Sequence, residues 1–98
     1  MKSPAPGNER EVHHNVAESR FEVTVDGFLS VADYQLRDGA MVMTHTFVPP
    51  ELRGRGIAEK LVRAALEHAR AERLRVVPAC SYVAAFIQRH AEFQVLLA

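Results

Sequence analysis

From Arg20 to Asp26 the chain alternates polar and apolar residues, with Phe21, Val23 and Val25 on one side. A period of two predicts a half-buried strand. Asp26-Gly27 follows, a signal for a tight hairpin turn. Phe28 to Leu36, rich in aromatic and β-branched residues, predicts the partner strand. Asp38-Gly39 repeats the turn signal. Met41 to Val48 then predicts a third strand, with Met41, Met43, His45 and Phe47 on one face and Val42, Thr44, Thr46 and Val48 on the other. Two Asp-Gly turns therefore link three strands into an antiparallel meander. Val12 to Val16 predicts a further short strand ahead of it.

Pro49-Pro50 ends the third strand, because proline cannot donate to a ladder. The period then changes. Ile57, Leu61, Ala65 and Ala69 form a stripe broadened by Val62 and Leu66, which predicts a helix from Ile57 to Arg73. Glu59 and Arg63 make an i,i+4 pair on its outer side. Leu74 to Val77 predicts a short apolar strand stopped by Pro78. Strand, helix and strand in that order predict a crossover, with the last strand parallel to the third. Ser81 is the expected cap of a second helix, Tyr82 to His90, with Val83, Phe86 and Ile87 inward. The tail around Phe93, Val95 and Leu96 is expected to pack back. The fold class is α+β, a mixed-sheet α/β arrangement: an antiparallel meander, then helix, parallel strand and helix.

Ninety-eight residues suit one domain, expected over residues 11–98 after a flexible tail at residues 1–10. The formal net charge is zero, which argues against a general nucleic-acid binder. The single cysteine, Cys80, can form no internal disulfide, so a secreted disulfide scaffold is not expected. No apolar run is long enough to span a membrane, and the N-terminus lacks the apolar core of a signal peptide. A cytoplasmic monomer or weak homodimer is the expectation.

The most informative stretch is Val48-Pro49-Pro50-Glu51-Leu52-Arg53-Gly54-Arg55-Gly56-Ile57-Ala58. It leads from a strand into a helix. Two glycines and an alanine sit where the helix start leaves backbone N–H groups without partners, and arginines flank them. That suits an anion such as a pyrophosphate. Position 59 is glutamate, so the dinucleotide fingerprint is incomplete, and no Gly-Lys-Ser/Thr follows, so the turn is not a triphosphate P-loop.

Arg53-Gly54-Arg55-Gly56-Ile57-Ala58 resembles the Arg/Gln-x-x-Gly-x-Gly/Ala motif of the GNAT superfamily of N-acetyltransferases. The Val76-Val77-Pro78-Ala79-Cys80-Ser81-Tyr82-Val83 run is similar to that of a very short subgroup with a cysteine after its last core strand. The resemblance covers about Arg20 to Phe93. It implies acetyl-coenzyme A as donor and an amine as acceptor, a protein lysine, an N-terminus or a small amine. It further implies that the N–H groups of Gly54, Arg55, Gly56, Ile57 and Ala58 face the pyrophosphate. Arg53, Arg55 and Lys60 would supply charge there. The strand ending at Phe47 and Val48 would splay from its parallel neighbour to admit the pantetheine arm.

Amide formation from a thioester needs a neutral amine and a proton for the leaving thiolate. Cys80, after the last strand, suits two roles: proton donor to the sulfur, or acceptor of the acetyl group in a covalent intermediate. It equally suits a small buried apolar residue. Many larger relatives use a tyrosine on the last helix as general acid. Aligned by Phe93, that position falls near Phe86, which has no proton to give, and Tyr82 is the alternative. His45 is a candidate base, with a satisfied core histidine as the plainer reading. His13 and His14 point to opposite faces, and His68 and His90 lie apart, so no metal site is expected. Besides an enzyme, the sequence suits a coenzyme A-binding module with little catalysis, or a small interaction domain without a ligand.

Overall fold

A computed structural model describes residues 11–98; the tail expected at residues 1–10 lies outside the described residues. Nine elements follow in order. They are β1 (His13–Asn15), β2 (Arg20–Val25), β3 (Phe28–Arg37), β4 (Ala40–Phe47), a 3-10 turn (Pro50–Leu52), α1 (Ile57–Ala71), β5 (Arg75–Pro78), α2 (Ser81–Arg89) and a 3-10 segment (Ala91–Leu96). The five strands form one sheet in the order β1-β2-β3-β4-β5. All pairs are antiparallel except β4 with β5. The α+β, mixed-sheet architecture expected from the sequence is the one observed.

The two Asp-Gly turns carry positive φ at both residues: 53° and 81° at Asp26-Gly27, 53° and 79° at Asp38-Gly39. That is the left-handed pair a tight β2–β3 or β3–β4 hairpin requires, and it fixes the register of the meander.

One face of the sheet carries the core. Phe21, Val23 and Val25 of β2, Ala32 and Tyr34 of β3, Met41 and Met43 of β4, and Val76 of β5 are all buried. Against them lie the α1 stripe, Ile57, Leu61, Val62, Ala65, Leu66 and Ala69, and Val83, Phe86 and Ile87 of α2. Both helices share a single apolar cluster with these strand residues. The opposite face, with Glu22, Thr24, Asp33, Val42 and Val77, stays half-exposed or exposed. The C-terminal segment packs back through Phe93 and Leu96, while Val95 points outward at 77% exposure, contrary to the expectation for that residue.

The sheet departs from simple alternation at one point. Asp33 pairs with His45, and the next residue, Tyr34, pairs with Met43. Thr44 is left over, so β4 carries a bulge there. Beyond it the phase of β4 reverses. Thr46 pairs with buried Ala32 and lies on the core face, whereas His45 and Phe47, opposite Asp33 and Val31, lie on the open face. The single face expected for Met41, Met43, His45 and Phe47 is thus split in two. His45 is exposed, not a core histidine.

β1 docks through an aromatic cluster. The His14 ring stacks on Phe21 at 4.0 Å and meets His68 edge-on at 4.4 Å. Its Nε2 lies 2.6 Å from the Tyr34 hydroxyl. Burial, then the neighbouring His68 and His13, hold His14 below its ordinary pKa.

Ser30 is fully buried on the core face of β3, and its hydroxyl finds no partner among the described residues. An unpaired buried hydroxyl costs about 1–3 kcal/mol. Ser30→Ala is therefore expected to stabilise the protein by roughly 1 kcal/mol, read as a higher urea midpoint at unchanged m-value. A lower midpoint would show that the hydroxyl is satisfied.

Candidate active site

The β4–β5 ladder begins at the Ala40–Arg75 pair and stops at Met43–Pro78. Pro78 has no N–H to carry the ladder further. β5 ends there, while β4 runs on to Phe47, and the two part. The Cys80 N–H donates to the Met43 carbonyl at 2.9 Å and closes the apex of the gap.

The turn from Val48 to Ala58 lies at the open end. Leu52 anchors it in the core at 1% exposure. The Arg53 Nε donates to the Val48 carbonyl at 3.0 Å, which ties the middle of the turn to its start. Gly54 and Gly56 have φ of 85° and 75°, and Gly56 is the cap of α1. An L side chain is strained in that region. A Cβ at either glycine would meet no atom within 4 Å, so backbone geometry and open space, not packing, call for glycine here. Among the described residues, the N–H groups of residues 54 to 58 meet no backbone carbonyl. Unpaired donors, the positive end of the α1 dipole and room for close approach make a fitting cradle for a phosphate group.

Two adjoining recesses run from this cradle to the end of β4. One, of about 210 Å³, is bounded by Gly54, Gly56, Ile57, Ala58, Leu52 and Tyr82. The other, of about 350 Å³, is bounded by Thr46, Phe47, Val48, Arg53, Ala58 and Tyr82. Val48, Arg53, Ala58 and Tyr82 border both. Arg55 and Lys60 border neither; they line a smaller recess of about 140 Å³ on the other side of Gly56 and Ile57, against Val23 and Val25. The Arg55 guanidinium pairs with Asp26 at 3.1 Å, which fastens the turn to the β2–β3 hairpin. Both side chains are exposed, so this pair adds little stability.

Cys80, not Ser81, caps α2, because its φ and ψ of −81° and 130° are the last extended ones before the helix. Its thiol donates to the Thr46 hydroxyl, S to O 3.7 Å. Burial alone pushes the thiol pKa up. The backbone N–H of Val83, the Thr46 hydroxyl and the backbone N–H of Tyr82 outweigh this, and the net shift is downward. A helix N-terminus acts on a thiol in this direction. The Tyr82 phenol moves up, through burial first and Glu59 second, against an opposing pull from Arg89. It stays protonated at neutral pH.

The expected site residues thus fall into groups. Phe47, Val48, Arg53, Gly54, Gly56, Ile57, Ala58 and Tyr82 border one or both of the adjoining recesses, and Cys80, which borders neither, reaches them through its contact with Thr46. Arg55 and Lys60 flank the cradle from the far side. His45 lies across the sheet, its ring parallel to Phe47 at 6.5 Å. Thr46 joins the site unannounced by the sequence, because only the bulge at Thr44 turns it toward Cys80. Phe86 borders none of these recesses; it is fully buried under the His90 ring, 4.0 Å away. Among the described residues no three histidine, cysteine or acidic side chains cluster as metal ligands would.

Residues 20–96 match the model of the GCN5-related N-acetyl-transferase family, most of the chain. The chain belongs to that family. As a GCN5-related N-acetyltransferase domain it is 33% identical over 91 residues to Protein NATD1 of Bos taurus, a match spanning 90% of this chain and 80% of that one. It also resembles the solution structure of a GCN5-like putative N-acetyltransferase from Staphylococcus aureus. That likeness has a TM-score of 0.73 at 26% identity and covers 92% of this chain and 89% of the other. The family's fold therefore extends over the sheet, the splayed strand pair and both helices of this domain.

Proposed function

We propose that this domain transfers an acetyl group from acetyl-coenzyme A to a primary amine. The observation that carries the reading is the hollow itself, which runs from unpaired amides at a helix start to the end of β4, beyond the point where its ladder with β5 stops. A pyrophosphate on residues 54 to 58 and an extended arm between β4 and β5 fit that shape. Backbone amides at the end of β4, near Phe47 and Val48, are suited to polarise a thioester carbonyl.

The chemistry asks little more of the chain. The amine nitrogen attacks the carbonyl carbon, the carbon–sulfur bond breaks, and the departing thiolate takes a proton. Tyr82 holds a proton at neutral pH and borders the hollow, so it suits the donor role. Cys80 suits either the same role or transient capture of the acetyl group, its thiol proton leaving as the new thioester forms. His45 suits proton removal from an amine arriving on the open face. Arg53, which borders both recesses, suits a supply of charge near the phosphates.

Calorimetry with acetyl-coenzyme A, coenzyme A and ATP tests the binding step. Sub-millimolar affinity for both coenzymes and none for ATP is expected; no heat with either coenzyme would sink the reading. Release of free thiol in the presence of lysine peptides or polyamines then separates an enzyme from a coenzyme A-binding module. The module reading draws its support from Phe86, which stands near the usual tyrosine.

The Cys80 thiol gives a pH test. Because its pKa lies below the ordinary value, alkylation by iodoacetamide should persist to lower pH than for free cysteine, and Thr46→Val should move the profile up. Cys80→Ala is expected to lower kcat roughly 100-fold with acetyl-coenzyme A affinity unchanged. Near-normal kcat would remove the thiol from the reaction.

A further inference from the structure

The bulge at Thr44 does more than turn Thr46 inward. It turns His45 and Phe47 outward, onto a face that no helix covers among the described residues. There Asp33 is the cross-strand partner of His45, and Val31 that of Phe47. These four side chains form a small patch: a carboxylate, an imidazole, an aromatic ring at 43% exposure and an aliphatic residue. Phe47 also borders the hollow, at the point where β4 has left β5. The patch therefore adjoins the gap from the side of the sheet opposite to the phosphate cradle.

Charge on this row is unevenly matched. Arg20, across from Asp33 on β2, donates its Nε to Glu22 at 2.8 Å. Asn15 also donates to Glu22, at 3.3 Å. Arg20 acts on Asp33 only at longer range, and no cation lies within ion-pair distance of the Asp33 carboxylate among the described residues. The His45 ring likewise has no hydrogen-bond partner there. A half-buried carboxylate beside an aromatic face suits a cation on an apolar stem, with the ammonium against carboxylate and ring and the methylenes along Val31.

We infer that the Asp33–His45–Phe47 patch binds the acceptor, and that the acceptor is a protonated primary amine on an aliphatic chain, of the lysine side-chain type. The inference rests on the transferase reading and adds to it the substrate class and its side of approach. The two partners then reach the gap from opposite faces of the sheet. Asp33 acts by holding the amine; loss of one proton, to His45 or to water, precedes attack.

The test is a titration of the ¹⁵N-labelled chain, in saturating coenzyme A, with N-α-acetyl-lysine methylamide. The norleucine analogue, which lacks the amine, is the control. Amide shifts are expected to cluster at Val31, Asp33, His45 and Phe47 with the lysine compound only. Asp33→Asn should weaken that binding about tenfold, the loss of a charge-assisted contact. Acetyl-coenzyme A affinity, measured by calorimetry on the same variant, should stay within about twofold. Shifts centred elsewhere, equal shifts with norleucine, or wild-type binding by Asp33→Asn would each overturn the proposal. Failure of the wild type to bind acetyl-coenzyme A would instead overturn the transferase reading.

Discussion

Replacing Gly56 by aspartate is expected to abolish useful affinity for acetyl-coenzyme A, by 100-fold or more, while the protein stays folded. Three facts set the magnitude. Gly56 has φ of 75°, where an L residue costs about 1–2 kcal/mol, and aspartate is among the residues that bear it best. A Cβ there meets nothing within 4 Å, so no clash adds to the cost. The new carboxylate, however, stands at the start of α1 where the phosphates would lie. Two unit charges at 4 Å near a protein surface repel by about 4 kcal/mol, and salt screening still leaves more than the roughly 2.7 kcal/mol that a factor of 100 requires. Gly56→Asn carries the same strain without the charge and should lose far less. Calorimetry on both variants, with circular dichroism to confirm folding, decides the matter. Equal affinities for the two would mean that the phosphates bind elsewhere.

The parts of this molecule legible in the sequence are those set by short-range rules. The Asp-Gly turns, the α1 stripe and the stop at Pro78 each depend on a few adjacent residues, and each is where it was expected. Gly54 and Gly56 were legible for the same reason, since a left-handed turn into a helix has few alternatives to glycine. What escaped depends on contacts between distant segments. A bulge in β4 leaves no mark in a run as uniform as Met41 to Val48, because Thr44 is as good a strand residue as its neighbours. Yet it decides which of Thr46 and His45 meets Cys80. The Arg55–Asp26 pair joins residues 29 apart, so Arg55 reads as a free phosphate ligand until the hairpin is placed beside it. The cap of α2 shifted by one residue because serine is the commoner cap, while the backbone turns helical only after Cys80.

The same distinction decides between Phe86 and Tyr82, and stability measurements make it visible. Phe86→Ala is expected to cost about 3–5 kcal/mol, as deletion of a fully buried ring does. Phe86 has no exposed surface, stacks with His90, lies 6.1 Å from the Phe93 ring, and has the Arg63 guanidinium 5.5 Å from its centre. A small domain holds only about 5–15 kcal/mol in total. The melting temperature should therefore fall by at least about 12 °C, at roughly 4 °C for each kcal/mol. Tyr82→Phe, one turn earlier on α2, should leave the melting temperature nearly unchanged, since the ring that packs against the core is kept, and should lower turnover if the hydroxyl is the proton donor, because Tyr82 borders both recesses. Placing there the tyrosine that the resemblance to larger relatives implies, by Phe86→Tyr, should give no gain in turnover and some loss of stability, since the added hydroxyl enters a sealed cluster. Faster turnover by Phe86→Tyr would return the acid to that position and remove Tyr82 from the role. No gain would leave Tyr82 as the donor we propose, a full helical turn nearer to Cys80 than alignment on Phe93 indicates, close to the start of α2.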